Sequence, residues 1–331
     1  MRKYILPPTG GAYKANLHCH STISDGRCTV EELKKQYMQK GYSIIAYTDN
    51  DVLVDHRDLC DENFLALNGY EMEVNGPAGK TCHMCLIAKD QDNLTQVCYN
   101  KDKYIWGNAL AFKPQLKFYQ DDYERKYTHE GICDMMKKGR DAGFFVTYNH
   151  PAWSLEDYTD YSGYEGMNAM EIWNTGCVYA GYDDYNPQVY DVLLRQGKRI
   201  FCIAADDNHN GRGFDSPHCD SFGGWIVVRC EKLDYKCVTD ALEAGSFYAS
   251  MGPEIYDLYV EDGYVHVTTS PAHTINYMTG VRHTACKRAH YGETVTKAKF
   301  AIKENDRYFR IDVIDDYGRH ADTNAVWLDT L

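Results

Sequence analysis

A helical stripe of apolar positions that stops at a glycine and is followed by an unbroken apolar run recurs along this chain. The first instance opens at Thr29-Val30-Glu31-Glu32, where Thr29 and Glu32 have the spacing of a capping box, and places Val30, Leu33 and Tyr37 on one face before Gly41. Residues 42–48 then read as a buried strand. The same order returns as helix 129–142, Gly143 and strand 144–148; as helix 188–196, Gly197 and strand 199–204; and as helix 234–244, Gly245 and strand 247–248. Further strands are expected at 64–74, 83–88, 168–173 and 223–229. Helices alternating with apolar strands over about 250 residues predict an α/β fold, with a parallel sheet covered by helices and closed as a TIM-like barrel.

Past Met251-Gly252-Pro253 the helical period disappears, and short alternating runs follow at 256–260, 264–268, 297–303 and 307–314. They predict a small all-β sandwich at 254–331 behind a barrel at 1–253. Residues 91–127, rich in Asp, Asn, Lys and aromatics, read as an insertion over the barrel mouth, either a functional lid or decoration.

Composition narrows the class. The net charge of −13 argues against a protein that grips phosphate backbones, so nucleic acid is not expected as a partner. No apolar run reaches the ~18 residues of a membrane span, and Met1-Arg2-Lys3-Tyr4-Ile5-Leu6-Pro7-Pro8 lacks the features of a signal peptide. The 13 cysteines are an odd number without framework spacing, so reduced thiols and a cytoplasmic location are expected. Cys82-His83-Met84-Cys85 reads as part of a strand, its cysteines packing as small hydrophobes.

In such barrels chemistry sits where strands end. In Asn16-Leu17-His18-Cys19-His20 the two histidines alternate onto one face, roughly 7 Å apart at their Cα atoms, and Asp25 follows. Asp49-Asn50-Asp51 ends strand 42–48, Glu71 ends 64–70, His83 edges the next strand, and His150 ends 144–149. Asp206-Asp207-Asn208-His209 ends 200–205 and repeats the i, i+2 spacing of the opening pair. Each has an ordinary reading alone: a cap for Asp25, a turn at 49–51, a hydrogen-bonded half-buried imidazole for His83 or His150. Recurrence at five strand ends points instead to metal ligation.

The set His18-Cys19-His20, Ser24-Asp25-Gly26, Tyr47-Thr48-Asp49, Gly69-Tyr70-Glu71, His83, Asn149-His150-Pro151 and Asp207-Asn208-His209 resembles the polymerase-and-histidinol-phosphatase (PHP) domain family over about residues 14–253. The tail, with Asp316-Tyr317-Gly318-Arg319 and Thr323-Asn324-Ala325-Val326-Trp327, is similar to the sandwich appended to some bacterial members. The resemblance implies a distorted seven-stranded βα barrel that holds two or three divalent ions (Mn, Zn or Fe) and hydrolyses a phosphate ester. It assigns His18, His20, Glu71 and Asp207 to one metal; Glu71, His83 and His150 to a second; and Asp25 and His209 to a third. The third site normally includes a histidine where this chain has Asn50, a weaker ligand. His56 is nearby in sequence but reads as a surface or supporting residue.

Mixed nitrogen and oxygen ligands suit Zn, Mn or Fe, and a shared Glu71 would set two cations roughly 3.5 to 4 Å apart. Catalytic roles are expected for Asp25, Asp49, Asp206 and His209, with Asp49 orienting ligands and Asp206 either doing the same or accepting a proton. Arg27, Arg57, Lys80 and Arg212 are candidates to hold substrate phosphate, against a reading as solvated surface. His218, His266, His273, His283, His290 and His320 match no ligand position. The expected substrate is a small phosphorylated metabolite. The competing expectations are hydrolysis of an amide or ester, and a weakened barrel retained as a binding or regulatory module, which the Asn50 departure favours.

Overall fold

The computed structural model describes residues 2–100, 102–119 and 122–331. Met1, Lys101, Gln120 and Asp121 lie outside the described residues, the last three within the 91–127 insertion. The first helix is Val30–Gln39, and its capping box forms: Thr29 Oγ1 accepts the Glu32 amide at 3.3 Å and Glu32 Oε2 accepts the Thr29 amide at 2.8 Å. Leu33 and Tyr37 are its buried residues. Gly41 and Gly143 follow the first two helices at φ +79° and +88°, a conformation that costs glycine no Cβ clash. The other three repeats appear as His129–Asp141 with Phe144–Tyr148, Pro187–Arg195 with Phe201–Ala205, and Tyr235–Glu243 with Phe247–Ser250.

The strands join into one large sheet rather than a closed barrel. Its order begins Phe201–Ala205, Ala169–Asn174, Phe144–Tyr148, Thr81–Ala88, Leu65–Asn75, Tyr42–Tyr47, Gly11–Asn16, Trp225–Cys230, Phe247–Ser250, and it continues into His320–Thr323, Tyr308–Ile314, Thr274–Thr279 and Ala285–Arg288. Among the described residues no regular ladder closes the ring, and only an isolated parallel bridge, Cys19 to Asn208, links the loops beyond Gly11–Asn16 and Phe201–Ala205. Trp225–Cys230 pairs antiparallel with Phe247–Ser250, while the outer edge of Phe201–Ala205 is met by the tail, Asn324 Oδ1 accepting the Cys202 amide at 3.0 Å. The sheet is also not uniformly parallel. Thr81–Ala88 runs antiparallel to Leu65–Asn75, since the five residues from Gly76 to Lys80 are too few for a crossover, and it is antiparallel to Phe144–Tyr148 as well.

The tail is rich in sheet, as its alternation predicts. Lys3–Tyr4, Ile255–Glu261, Tyr264–Ala272 and Val295–Ala301 form a separate antiparallel sheet. It shares a core with the extension of the large sheet through Leu258, Val267, Tyr277, Phe300, Phe309 and Val313. Several of the 28 tyrosines are buried with their hydroxyls hydrogen-bonded, as Tyr148 and Tyr164 are to Glu156 and Tyr235 is to the Ala88 carbonyl. Among the described residues no helix is long and apolar enough to cross a membrane.

The insertion folds back over the strand ends. Ala109 packs with Ile23 and Val52, joined by Ile105, Phe112 and Leu116. Buried Arg125 fastens its base, forking onto the Asp51 carboxylate (3.0 Å for one contact) and donating to the Glu73 and Cys98 carbonyls.

Candidate metal centre

Just beyond the strand ends, the Asp207 amide donates to the His18 carbonyl at 2.9 Å and the His20 amide to the Asn208 carbonyl at 3.1 Å. These bonds stitch the first strand's loop to the loop after Phe201–Ala205. His18 and His20 thereby share a space with Glu71 and Asp207, all four buried. His18 Nε2 lies 3.1 Å from His20 Nε2, 3.2 Å from Glu71 Oε1 and 3.1 Å from Asp207 Oδ1. His20 Nε2 lies 3.1 Å from the same Asp207 oxygen and 3.4 Å from Glu71 Oε2.

The other faces of the imidazoles fix which nitrogen looks inward. Glu171 Oε1 is 2.7 Å from His18 Nδ1; a carboxylate only accepts, so Nδ1 donates and Nε2 presents its lone pair to the cluster. His150 contacts Ser154 Oγ through Nδ1 (3.2 Å) and turns Nε2 to Glu71 Oε1 (3.3 Å). His83 sets Nε2 3.4 Å from Glu73 and Nδ1 3.2 Å from Glu71 Oε1, and that buried Nδ1 has no hydrogen bond. Inward lone pairs, shared carboxylate oxygens and an orphaned ring nitrogen are what a bound cation would satisfy. The donor set therefore fits two divalent ions, one held by His18, His20, Glu71 and Asp207, the other by Glu71, His83 and His150.

Electrostatics point the same way. Burial opposes charge on Glu71 and Asp207, but the surrounding imidazoles, His18 foremost, override it and hold both carboxyls well below their usual range. Burial likewise opposes protonation of His83, yet Glu71 beside it raises its pKa to about 10, so that without an ion a proton supplies the positive charge that a bound cation would otherwise bring. Both carboxylates thus stay ionised in a buried site that contains, among the described residues, neither lysine nor arginine. Asp207 and His150 also adopt φ +50° and +26°, backbone strain of the kind that collects at functional sites.

The third group is looser. His209 Nε2 lies 3.3 Å from Asp25 Oδ2, His20 Nδ1 lies 3.6 Å from Asp25 Oδ1, and Asn50 Nδ2 donates to Asp25 Oδ1 at 3.0 Å. His20 faces two groups with one ring, and a neutral imidazole has a single lone pair; given to the first group through Nε2, it leaves Nδ1 protonated. Asp25 and His209 are then the strong ligands that remain at the third position. Burial works against ionised Asp25, but His209 and His20 hold its pKa down to about 2.

The remaining candidates fall away from the cluster. Asp49 accepts both the amide and hydroxyl of Ser21 (2.8 Å each) and of Ser24, shaping the loop that carries His20 and Asp25. Asp206 lies on the opposite side of its strand from Asp207, taking the amides of Phe222, Gly223 and Gly224 and the Tyr37 hydroxyl; burial pushes its pKa up to about 6. It is therefore not placed to take a proton in the pocket. His56 is buried against Tyr47, with ring centroids 4.7 Å apart. Arg57 pairs with Asp55 and Asp92, Lys80 pairs with Asp157 and Asp160, and Arg27 and Arg212 are exposed; none of the four lines the pocket. His320 and His283 are held by Asp312 and Asp306 in the tail.

Three supporting residues have no role assigned from the sequence, although Asn149 stands in one of its motifs. Glu171 orients His18 and accepts the His150 amide; Asn149 donates to Glu71 at 3.0 Å; Asn174 donates to Asp207 at 3.1 Å. Glu171 did carry a signal, a carboxylate late in a strand, but one embedded in the apolar run Ala169-Met170-Glu171-Ile172-Trp173. The pocket over the cluster has a volume of about 350 Å³, and Asp25, Asn50, Glu73, Trp106, Trp153 and His209 contribute to its walls.

The PHP domain family model matches residues 16–185. Comparison with curated proteins finds no match. Among solved structures, a two-domain protein from Bacteroides vulgatus, with a predicted PHP-like metal-dependent phosphoesterase, is 14% identical over 95% of this chain and 94% of its own, at a TM-score of 0.46. A proposed metal-dependent phosphoesterase from Bifidobacterium adolescentis is 14% identical over 64% of this chain and 91% of its own (TM-score 0.38). An amidohydrolase from Chromobacterium violaceum, with bound sulfate and no metal, is also 14% identical, over 62% and 93% (TM-score 0.39).

Proposed function

The chain belongs to the PHP domain family, and from that premise we propose that its pocket hydrolyses a phosphate ester of a small metabolite, with two divalent ions as cofactors. The observation that carries this reading is Glu71, whose carboxylate is shared by two groups of inward-facing imidazoles while every outer ring nitrogen of His18, His83 and His150 has a polar partner. Mn, Zn or Fe bound there would polarise a phosphoryl oxygen and lower the pKa of a water.

The protein's own groups supply the rest. Glu171, Asn149 and Asn174 lock His18, Glu71 and Asp207 in place, so little reorganisation accompanies reaction. Asp49 fixes the loop that presents His20 and Asp25. His209 stands at the open side, 38% exposed, with Nε2 against Asp25. Asp25 keeps its ring oriented at the mouth of the pocket.

Metal content of the purified chain, followed by assays of phosphomonoesters, phosphodiesters and amides with Mn, Zn or Fe supplied, tests the reading. Turnover of a phosphate ester with about two metals bound is expected. Turnover of amides alone would transfer the site to the amide or ester reading. Full metal loading without turnover would favour a binding or regulatory role, for which the specific observation is Asn50, committed to Asp25.

A further inference from the structure

Resting on that reading, we infer that the pocket selects a substrate whose leaving group is a flat, uncharged aromatic carried on a single phosphate. Two indoles face the space above the cluster: Trp106, delivered by the insertion, and Trp153, from the loop after Phe144–Tyr148. They remain 47% and 36% exposed. Trp153 is seated edge-on against His83 and His150, at 5.2 and 5.0 Å between ring centroids. Trp106 is held at the mouth by its neighbours in the insertion, Ile105 and Ala109, which pack onto Ile23 and Val52. Indole is the largest apolar surface a side chain offers, and leaving two beside a polar cleft suits a planar partner.

Charge narrows the partner further. Among the described residues no lysine or arginine lines the pocket, so a second anionic group on the substrate would meet no counter-charge from them. The two wall carboxylates outside the metal-type groups are already engaged: Glu73 with His83 Nε2 at 3.4 Å, and Asp220 with the amides of His209 (2.8 Å) and Asn210 (3.0 Å). Among the described residues a cationic leaving group would therefore have to share a carboxylate that already has a partner. The unpartnered surface is indole, and a pocket of about 350 Å³ has room for a phosphate and one ring.

Phosphonates test this without turnover, because their C–P bond is not hydrolysed. On the Mn-loaded full chain, calorimetry with phenylphosphonate, methylphosphonate and 2-aminoethylphosphonate should show the phenyl compound binding at least tenfold tighter than the other two. Trp106→Ala should bring phenyl and methyl affinities within threefold of each other. Trp106→Phe, which keeps a ring, should retain at least a fivefold preference and guards against a folding defect in the alanine variant. Equal binding of the three probes, tightest binding of the aminoethyl compound, or a phenyl preference that survives Trp106→Ala would overturn the inference. A phenyl preference without hydrolysis of phenyl phosphate would support the recognition while sinking the phosphoesterase reading; hydrolysis without preference does the reverse.

Discussion

At the pocket, His18, His20, Glu71 and Asp207 meet without a protein cation among them, whereas at the junction of Pro187–Arg195 with the tail, Asp312, His320 and Asp322 gather just as closely around Arg310. In the second cluster Arg310 is fully buried, forks onto Asp191 at 2.8 and 3.1 Å, and reaches Asp322 at 2.8 Å. Tyr185 donates to Asp322, Asn276 donates to Asp312, and His320 Nδ1 meets Asp312 at 2.8 Å. Residue types and spacing are therefore poor guides to a metal site by themselves. What separates the two places is whether the positive charge is built into the chain or left for an ion to bring.

The comparison breaks most readily at Glu71. Glu71→Gln removes the anion that both groups share but keeps its shape, and it should lower turnover by about ten-thousand-fold, about 5 kcal/mol of transition-state stabilisation, with bound metal falling in step. Metal content and kcat/KM measured together check it. Wild-type turnover with Glu71→Gln would dissolve the distinction between the clusters. At the junction, Arg310→Leu should act on stability instead. It leaves the partly buried Asp191 and the buried Asp322 without their cation and should cost about 3 to 5 kcal/mol in urea unfolding above about pH 7, where Asp322 is ionised, while metal stoichiometry stays unchanged.

The first cluster was legible in sequence because ligand types sat at strand ends with a period of two, and because capped helices fixed where those strands begin. The same alternation that aims Asp207 inward turns Asp206 away, so of the two roles expected for Asp206, orienting ligands or accepting a proton, the difficulty of the second was also readable in principle. Closure of the barrel was not. The partners of Phe201–Ala205 and Trp225–Cys230 are decided by Asn324 and by Phe247–Ser250, and nothing local marks which edge a distant segment will occupy. The second cluster was invisible for a related reason: Asp191 and Arg310 lie 119 positions apart. Thr274–Thr279 went unread although Ile275 and Tyr277 alternate with Asn276 as in a half-buried strand.

A smaller effect sharpens the comparison inside the pocket. Asn50→His offers the third position an imidazole where an amide now donates to Asp25. It relieves His20 of facing two groups with one lone pair, so occupancy of a third ion should rise and turnover should increase by about tenfold, about 1.4 kcal/mol. Metal titration at fixed protein concentration reads the first effect and steady-state rates the second. An unchanged third-site affinity would show that the loop carrying Asp25, and not the residue at position 50, limits that site.

The junction should reveal itself last, and most gently, through pH. Burial, with Asp312 beside it, pushes Asp322 up to about 7 against the pull of Arg310. For an acid this means that the folded chain holds a proton where the unfolded chain, at an ordinary carboxylate value near 4, has released it. The stability this confers is complete below about pH 4 and drains away as pH rises toward 7. His320 works in the same direction: burial opposes its charge, but Asp312 raises its pKa, so its contribution is present below about 6.5 and is lost as pH climbs through the folded value. Glu71 and Asp207, held well below the usual range, have no change left to make in this window. Between pH 5 and 8 the wild-type chain should therefore lose stability more steeply than Asp322→Asn, by under about 1 kcal/mol per pH unit, read from urea midpoints at constant Mn. Parallel slopes would mean that Arg310 keeps Asp322 ionised throughout, and that the junction is as fixed in charge as the pocket is in need of it.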